Sequence, residues 1–402
     1  MFERLKIYFP IFLLAAGHGA VDLYIGLLQV VTPGLSEYLG IPLGQLVLLV
    51  GVGTLVNNAM QPIAGYAMGK RNLSWVLWVA VLLSALPVFM GYVSGYWSLA
   101  FLILVGAVGT GLYHPEGAIA SHEVSGDKAY LGVPLFMAGG AGVAAVGTPL
   151  CIWISERYGF PALALLGVPG LVIGLLFLFQ YRHRKRTHPS LVMRPRSRRV
   201  TAVREGTMSY WPLLGVALCL GVGSGMFISL LASHYELVFG SESRVWSGWV
   251  LLVMGLAGSG ISFLWSWLAH KHGFYKIALL TQLVACPLFA LMAFPSSPTQ
   301  GLLIAIPLGI VNPNAVYPVA VTMSRNAAGL TQGLRTSIMM GGTSGLASFA
   351  IMAAGALITR GLPSSWLVLF MSLCSLLAVI LSAWQIVVLA RAKKAGQGTA
   401  TE

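Results

Sequence analysis

A chain of 402 residues in which 57% are apolar and 9% are charged cannot cover a water-soluble globule, whose residues are about 25% charged. A mean hydropathy of +0.82 likewise excludes disorder, collagen and coiled coil, and leaves a polytopic membrane protein. The formal net charge of +13, from 24 Lys and Arg against 11 Asp and Glu, suits a nucleic-acid partner only if the basic residues share a folded surface.

Taken in chain order, hydropathy predicts twelve spans: 7–32, 43–69, 74–94, 96–121, 129–154, 160–181, 210–236, 245–269, 274–294, 299–323, 333–358 and 364–390. Each reaches or exceeds the roughly 20 residues that cross a bilayer as a helix. Barrel strands would be about ten residues long with alternating polarity, and no segment alternates in that way. With this span count, 21 basic residues fall on one side and only Arg157, Arg244 and Arg360 on the other. Excess Lys and Arg marks the cytoplasmic face. Both termini are therefore expected in the cytoplasm, with the chain a multi-pass protein of a bacterial inner membrane.

The expected fold class is an all-α polytopic membrane protein of twelve transmembrane helices in two six-helix halves. Residues 1–181 form the N-terminal half and 210–390 the C-terminal half. Between them lies the connector 182–209, with nine basic residues, and 391–402 is a cytoplasmic tail. The connector lacks interleaved aromatics, so it reads as a linker obeying the positive-inside rule, or as an anionic-lipid contact, and not as a nucleic-acid surface. Asn72-Leu73-Ser74 matches a glycosylation sequon but falls on the cytoplasmic side. The first apolar stretch has no small-residue cleavage signature and is expected to stay as the first span. Cys151, Cys219, Cys286 and Cys374 all fall in apolar spans, without a Cys-x-x-Cys pair, and read as packing residues.

Two stretches repeat across the midpoint. Tyr113-His114-Pro115 is followed by Gly139-Gly140, and Tyr317-Pro318 by Gly341-Gly342, at an offset of about 202 residues. Parallel half-repeats around a central cavity are the architecture of major facilitator transporters. Gly139, Gly140, Gly142 and Gly147, then Thr148-Pro149, make span 5 a close-packing surface.

Of the eleven acids, only Asp22 and Glu116 lie deep in spans. An ionisable group at mid-bilayer costs about 2.5–3.5 kcal/mol on insertion scales, so its retention argues for use. His18 and Asp22 stand i,i+4 and share a helix face near the middle of span 1. They read either as a pair locking helices or as a proton site. His114 and Glu116 flank Pro115, which locally breaks the helix ladder. An ideal helix would put them on different faces. Their readings are a kinked packing corner or a cavity wall. His234 reads as an interfacial or gate residue. The second half has no matching acids and offers Asn312, Asn314, Tyr317, Gln332 and Arg335. Arg335 is expected to snorkel to the membrane surface or to meet an anionic group.

LVGAVGTGLYHPEGA in span 4, the glycines of span 5, MQPIAGYAMGKR ending span 2, and HGAVDLY in span 1 resemble the fosmidomycin-resistance-type branch of the major facilitator superfamily. That resemblance implies a proton-driven exporter of small amphiphilic compounds working by alternating access as a monomer. It marks Asp22, His114 and Glu116, which with His18 are expected to couple protons; beside the resemblance, Tyr24, Tyr113, Asn312, Asn314 and Tyr317 are expected in the substrate cavity. It marks Gly139, Gly140, Gly147 and Pro149 as a span 5 motif similar to that of antiporters, and Pro115, Lys70, Arg71 and Arg335 join these as expected gating and helix-packing residues. Partners are then a small-molecule substrate, protons and the bilayer, with no cofactor. The chain departs from the pattern at Gly69, where the superfamily usually has Asp. It departs again at Ile119 and Met137, where close relatives have Arg and Gln.

A second transporter reading is a permease for divalent metal, using the imidazoles of His18 and His114 and the carboxylates of Asp22 and Glu116. An intramembrane enzyme is not expected, because no Gly-x-Ser-x-Gly, His-Glu-x-x-His or phosphate loop occurs.

Overall fold

The computed structural model describes residues 2–70, 72–125, 129–187, 209–324, 327–328, 335 and 338–398. Among these, regular structure is helical apart from one isolated bridge between Ser209 and Ala328. The first half holds α1 (Phe2–Leu39), α2 (Leu43–Lys70), α3 (Val76–Ser84), α4 (Tyr96–Ser125), α5 (Ala129–Tyr158) and α6 (Gly167–Thr187). The second holds α7 (Tyr210–Phe239), α8 (Arg244–His272), α9 (Phe274–Ala293), α10 (Pro298–Val311), α11 (Pro313–Ser324), α12 (Thr343–Thr359) and α13 (Ser364–Gly398).

Ten helices among the described residues are long and apolar enough to cross a membrane. Two shorter apolar helices, Val76–Tyr92 and Thr343–Thr359, occupy the places of the third and eleventh expected spans. Several helices outrun their apolar cores. α1 covers Phe2–Leu39 where hydropathy alone marks 7–32, because a helix continues into the polar region for as long as its backbone bonds can form. The connector from 188 to 208, Arg71, Gln332 and the last four residues of the tail lie outside the described residues.

The tenth span is not one helix. It breaks between α10 and α11 at Asn312, whose backbone (φ −52°, ψ 138°) is the extended conformation that a following proline imposes. The break frees carbonyls inside an apolar bundle, and each must find a donor. Trp265 Nε1 donates to the Ile310 carbonyl at 2.7 Å, and Gln282 Nε2 to that of Val311 at 3.3 Å.

Glycines end several helices at positive φ, a backbone conformation that stops the ladder and that a Cβ would penalise. Gly40 after α1 corresponds to Gly240 after α7, and Gly159 after α5 to Gly361 after α12. The internal repeat read at an offset of about 202 residues thus extends to how these helices stop.

The halves meet along α1 with α7, α2 with α12, and α5 with α8. Backbones come closest at the end of the bundle away from most basic residues. A Cβ on Gly44 would stand 2.5 Å from the Gly355 carbonyl, and one on Gly248 would stand 3.1 Å from Cα of Pro149. Small residues let helices touch where lipid provides no hydrophobic driving force. At this same end Arg244, which opens α8, bonds Glu236 of α7, Glu37 of α1 at 2.7 Å and Glu156 of α5 at 3.4 Å. The halves are therefore in direct contact at the Arg244 end.

Candidate functional site

His18 and Asp22 sit one turn apart near the middle of α1, on the side that packs against α4 and α5. That packing requires two glycine-lined approaches. A Cβ on Gly139 of α5 would lie 2.4 Å from the Ala15 carbonyl, and one on Gly140 would lie 2.4 Å from Asp22 Oδ2 and 2.8 Å from His18 Cε1. Gly140 thus leaves the volume that the two polar side chains occupy. Among the span 5 motif residues, Gly147 makes room for Leu23, and Pro149 meets Gly248 across the halves.

The His18 ring is held on two sides. It stacks on Phe136 at 4.2 Å between centroids, with the planes 11° apart. Its Nδ1 lies 2.8 Å from the Phe136 carbonyl. A carbonyl only accepts, so Nδ1 carries the hydrogen. In the neutral ring Nε2 therefore presents a lone pair, and it points at Asp22 Oδ2 from 3.4 Å. From α4, His114 brings its Nε2 to 3.5 Å from Asp22 Oδ1, and the two imidazoles meet edge to face at 5.1 Å. His18 is buried, while Asp22 and His114 keep 23% and 22% of their side-chain surface. Two nitrogens and a carboxylate thus converge in a low-dielectric setting, where the His18 lone pair and the carboxylate oxygen that it faces call for a shared cation.

Glu116 does not join them. It lies on another face of α4, as an unkinked helix would place it, and is wholly buried. It lines a cavity of about 260 Å³ near the basic end of the first half, together with Asn72, Glu123, Phe177, Tyr181 and Arg184. α4 runs through Pro115 without ending.

Tyr24, expected on a substrate cavity, borders a small cavity between α1, α2 and α4. The hydroxyl of Tyr24 donates to the Leu166 carbonyl at 2.8 Å, and that of Tyr113 to the Leu14 carbonyl at 2.7 Å. Both rings are buried in the packing of the first half. A long ring with one polar tip settles where that tip finds a backbone acceptor. Tyr317 is half-buried and bonds the Met339 carbonyl and the Thr343 hydroxyl beside a π-helical turn, Ile338–Gly342. Asn312 is buried at the break between α10 and α11. The side chains of Asn314 and Lys70, and all of Arg71, lie outside the described residues.

Arg335 does not snorkel. It is 2% exposed, and its Nε donates to the Ser324 carbonyl at 3.0 Å while Tyr210 bonds its own carbonyl. The Ser324 carbonyl, at the end of α11, holds the guanidinium inside the protein. His234 is a packing residue between helices: its Nε2 lies 3.1 Å from the Met292 carbonyl and its Nδ1 2.9 Å from the Ser364 hydroxyl.

Two features escaped the sequence reading. One is the Phe136 carbonyl, a backbone atom that no residue pattern reveals. The other is the Arg244 cluster, whose signal was present: Arg244 is one of only three basic residues on its side of the charge map.

A sequence profile described as Major Facilitator Superfamily matches residues 14–347. Among solved structures, the chain is similar to a bacterial homolog of the human lysosomal transporter Spinster in two states. The inward-facing and occupied state matches with a TM-score of 0.66 at 15% identity, over 94% of this chain and 95% of that one. The inward-facing and unoccupied state matches with a TM-score of 0.67 at 14% identity and the same coverage. At these identities the likeness is one of fold.

Proposed function

The chain belongs to the major facilitator superfamily, and from that premise we propose that it is a proton-coupled exporter of small amphiphilic compounds in a bacterial inner membrane. The observation that carries the coupling is the Asp22 carboxylate held between His18 and His114 at mid-α1. An acid retained at that depth is costly unless it works. Partial exposure lets protons and water reach Asp22; the His18 lone pair accepts from the protonated carboxyl, and an N–H at His114 Nε2 donates to the carboxylate.

In this reading Asp22 takes the proton and His18, fixed by Phe136, orients it. His114 joins the site to α4. Protonation removes the carboxylate charge that holds the α4 imidazole towards α1, and so biases the helix contacts that rock the halves. Glu116, in its separate cavity, is a second proton station on the way to the basic face. The charge bias of 21 to 3 supports placing that face, and both termini, in the cytoplasm. Contact between the halves at the Arg244 end then corresponds to an inward-facing state.

The test is a screen in proteoliposomes with an imposed pH gradient, reading internal pH as amphiphiles are added. The wild type is expected to move protons only when a substrate is present. Asp22→Asn should lose that flux by about two orders of magnitude, and should melt at an unchanged temperature. Full substrate-dependent proton flux in Asp22→Asn would overturn the assignment.

A further inference from the structure

We propose that His18, Asp22 and His114 form an open three-ligand site for a divalent transition-metal ion of the zinc class. The proposal uses the side chains of the proton reading but does not depend on their coupling role.

The separations carry it. The carboxylate oxygens lie 3.4 and 3.5 Å from the two imidazole nitrogens. A charge-assisted hydrogen bond would draw such atoms to about 2.7–2.9 Å. Two ligands of one tetrahedral ion, each bonded at roughly 2.0–2.2 Å, stand about 3.4 Å apart. Each nitrogen is therefore spaced from its own carboxylate oxygen, Oδ2 for His18 and Oδ1 for His114, as two donors of one ion would be. One donor atom from each of His18, Asp22 and His114 lies within 4.8 Å of the other two, so modest ring movement brings both imidazoles to one ion.

The surroundings match as well. A metal-binding imidazole usually donates its other N–H to a carbonyl or carboxylate, which fixes the tautomer and leaves the lone pair for the ion. His18 does this with Phe136 at 2.8 Å. Two neutral nitrogens and one carboxylate form a set favoured by zinc and by its neighbours in the first transition row over magnesium or calcium. Three protein ligands leave a fourth position, and the exposed flanks of Asp22 and His114 give water or a substrate donor access to it. Glu116, added to this set in the sequence reading, is on a different face of α4 and is not a ligand.

Purified full-length protein, in detergent with its affinity tag removed, is titrated with Co²⁺ and followed by visible absorption, with Zn²⁺ as competitor. The expected result is one equivalent of Co²⁺ giving d–d bands of a four- or five-coordinate ion, displaced by Zn²⁺. Losing an outer partner already weakens a metal site by about 10–100-fold, so losing a ligand in Asp22→Asn or His114→Gln should weaken Co²⁺ by about 100-fold or more. Both substitutions keep side-chain volume, and their melting temperatures report folding. Absence of saturable Co²⁺ binding in the wild type overturns the proposal, as does binding that persists undiminished in both folded variants. Because no gradient is applied, a protein that couples protons yet binds no Co²⁺ removes only the metal site. A protein that binds Co²⁺ yet moves no protons removes only the coupling.

Discussion

Arg244, the first residue of α8, reaches Glu37 near the end of α1 at 2.7 Å and so ties the second half of the chain to the first. The three acids around it do not contribute equally. Glu37 is 72% exposed, and a pair so open to solvent is worth about 0–1 kcal/mol. Glu236 is less exposed and meets the guanidinium twice, but it belongs to the same half and sits one helix back. Its role is to aim Arg244 at Glu37 and Glu156. Replacing Glu37 by Gln should therefore change the closed population only about twofold. Arg244→Gln removes every tie and leaves three carboxylates together, so opening should be favoured by about 1–2 kcal/mol, or roughly five- to thirtyfold. Spin labels at Tyr38 and Glu242, both exposed at this end, read the separation. A longer-distance population is expected to grow in Arg244→Gln, and an unchanged distribution would show that the glycine contacts close this end unaided.

Gly140 and Gly142 are two residues apart on α5 and face opposite demands. A Cβ on Gly142 meets nothing within 4 Å, whereas one on Gly140 meets Asp22 and His18. Gly142→Ala should leave transport unchanged, and gain up to about 0.5–1 kcal/mol from better helix propensity. Gly140→Ala must push Asp22 aside or part α1 from α5, at about 1–3 kcal/mol for overpacking. Substrate-driven flux and melting temperature, measured on the two variants side by side, separate a local requirement for space from a general intolerance of alanine in α5. Equal behaviour of the two variants would remove Gly140 from the site.

Much of this arrangement could be read from residues alone, and the boundary is physical. Period and spacing act within one helix, so the His18–Asp22 face and the divergence of His114 from Glu116 were both visible. Membership of His114 in the same cluster depends on how α4 packs against α1, which no local pattern states. Tyr24 and Tyr113 were expected in the substrate cavity. Their hydroxyls instead found the carbonyls of Leu166 and Leu14, acceptors that exist only once the helices have assembled. The break at Asn312 shows a further case. The Asn312-Pro313 dipeptide announces it, but hydropathy averages across it, since the two short helices together are as long and apolar as one.

His234 tests whether every buried histidine in this bundle takes part in transport. Both its ring nitrogens are committed, Nε2 to the Met292 carbonyl of α9 and Nδ1 to the Ser364 hydroxyl at the start of α13. A carbonyl can only accept, so Nε2 holds the hydrogen and Nδ1 accepts from Ser364. No lone pair remains for an ion, and the ring is wholly buried. This differs from His18, where only one nitrogen is fixed by the backbone. Removing the ring should therefore cost stability rather than coupling. His234→Ala leaves a buried carbonyl and hydroxyl without their partner, at about 1–3 kcal/mol, and a cavity besides. Ser364→Ala removes one weaker bond and should cost about 1 kcal/mol. In proteoliposomes, folded His234→Ala protein is expected to retain most of the proton flux per molecule while melting several degrees lower. Loss of flux with an unchanged melting temperature would place His234 in the transport mechanism and give the second half an ionisable group of its own.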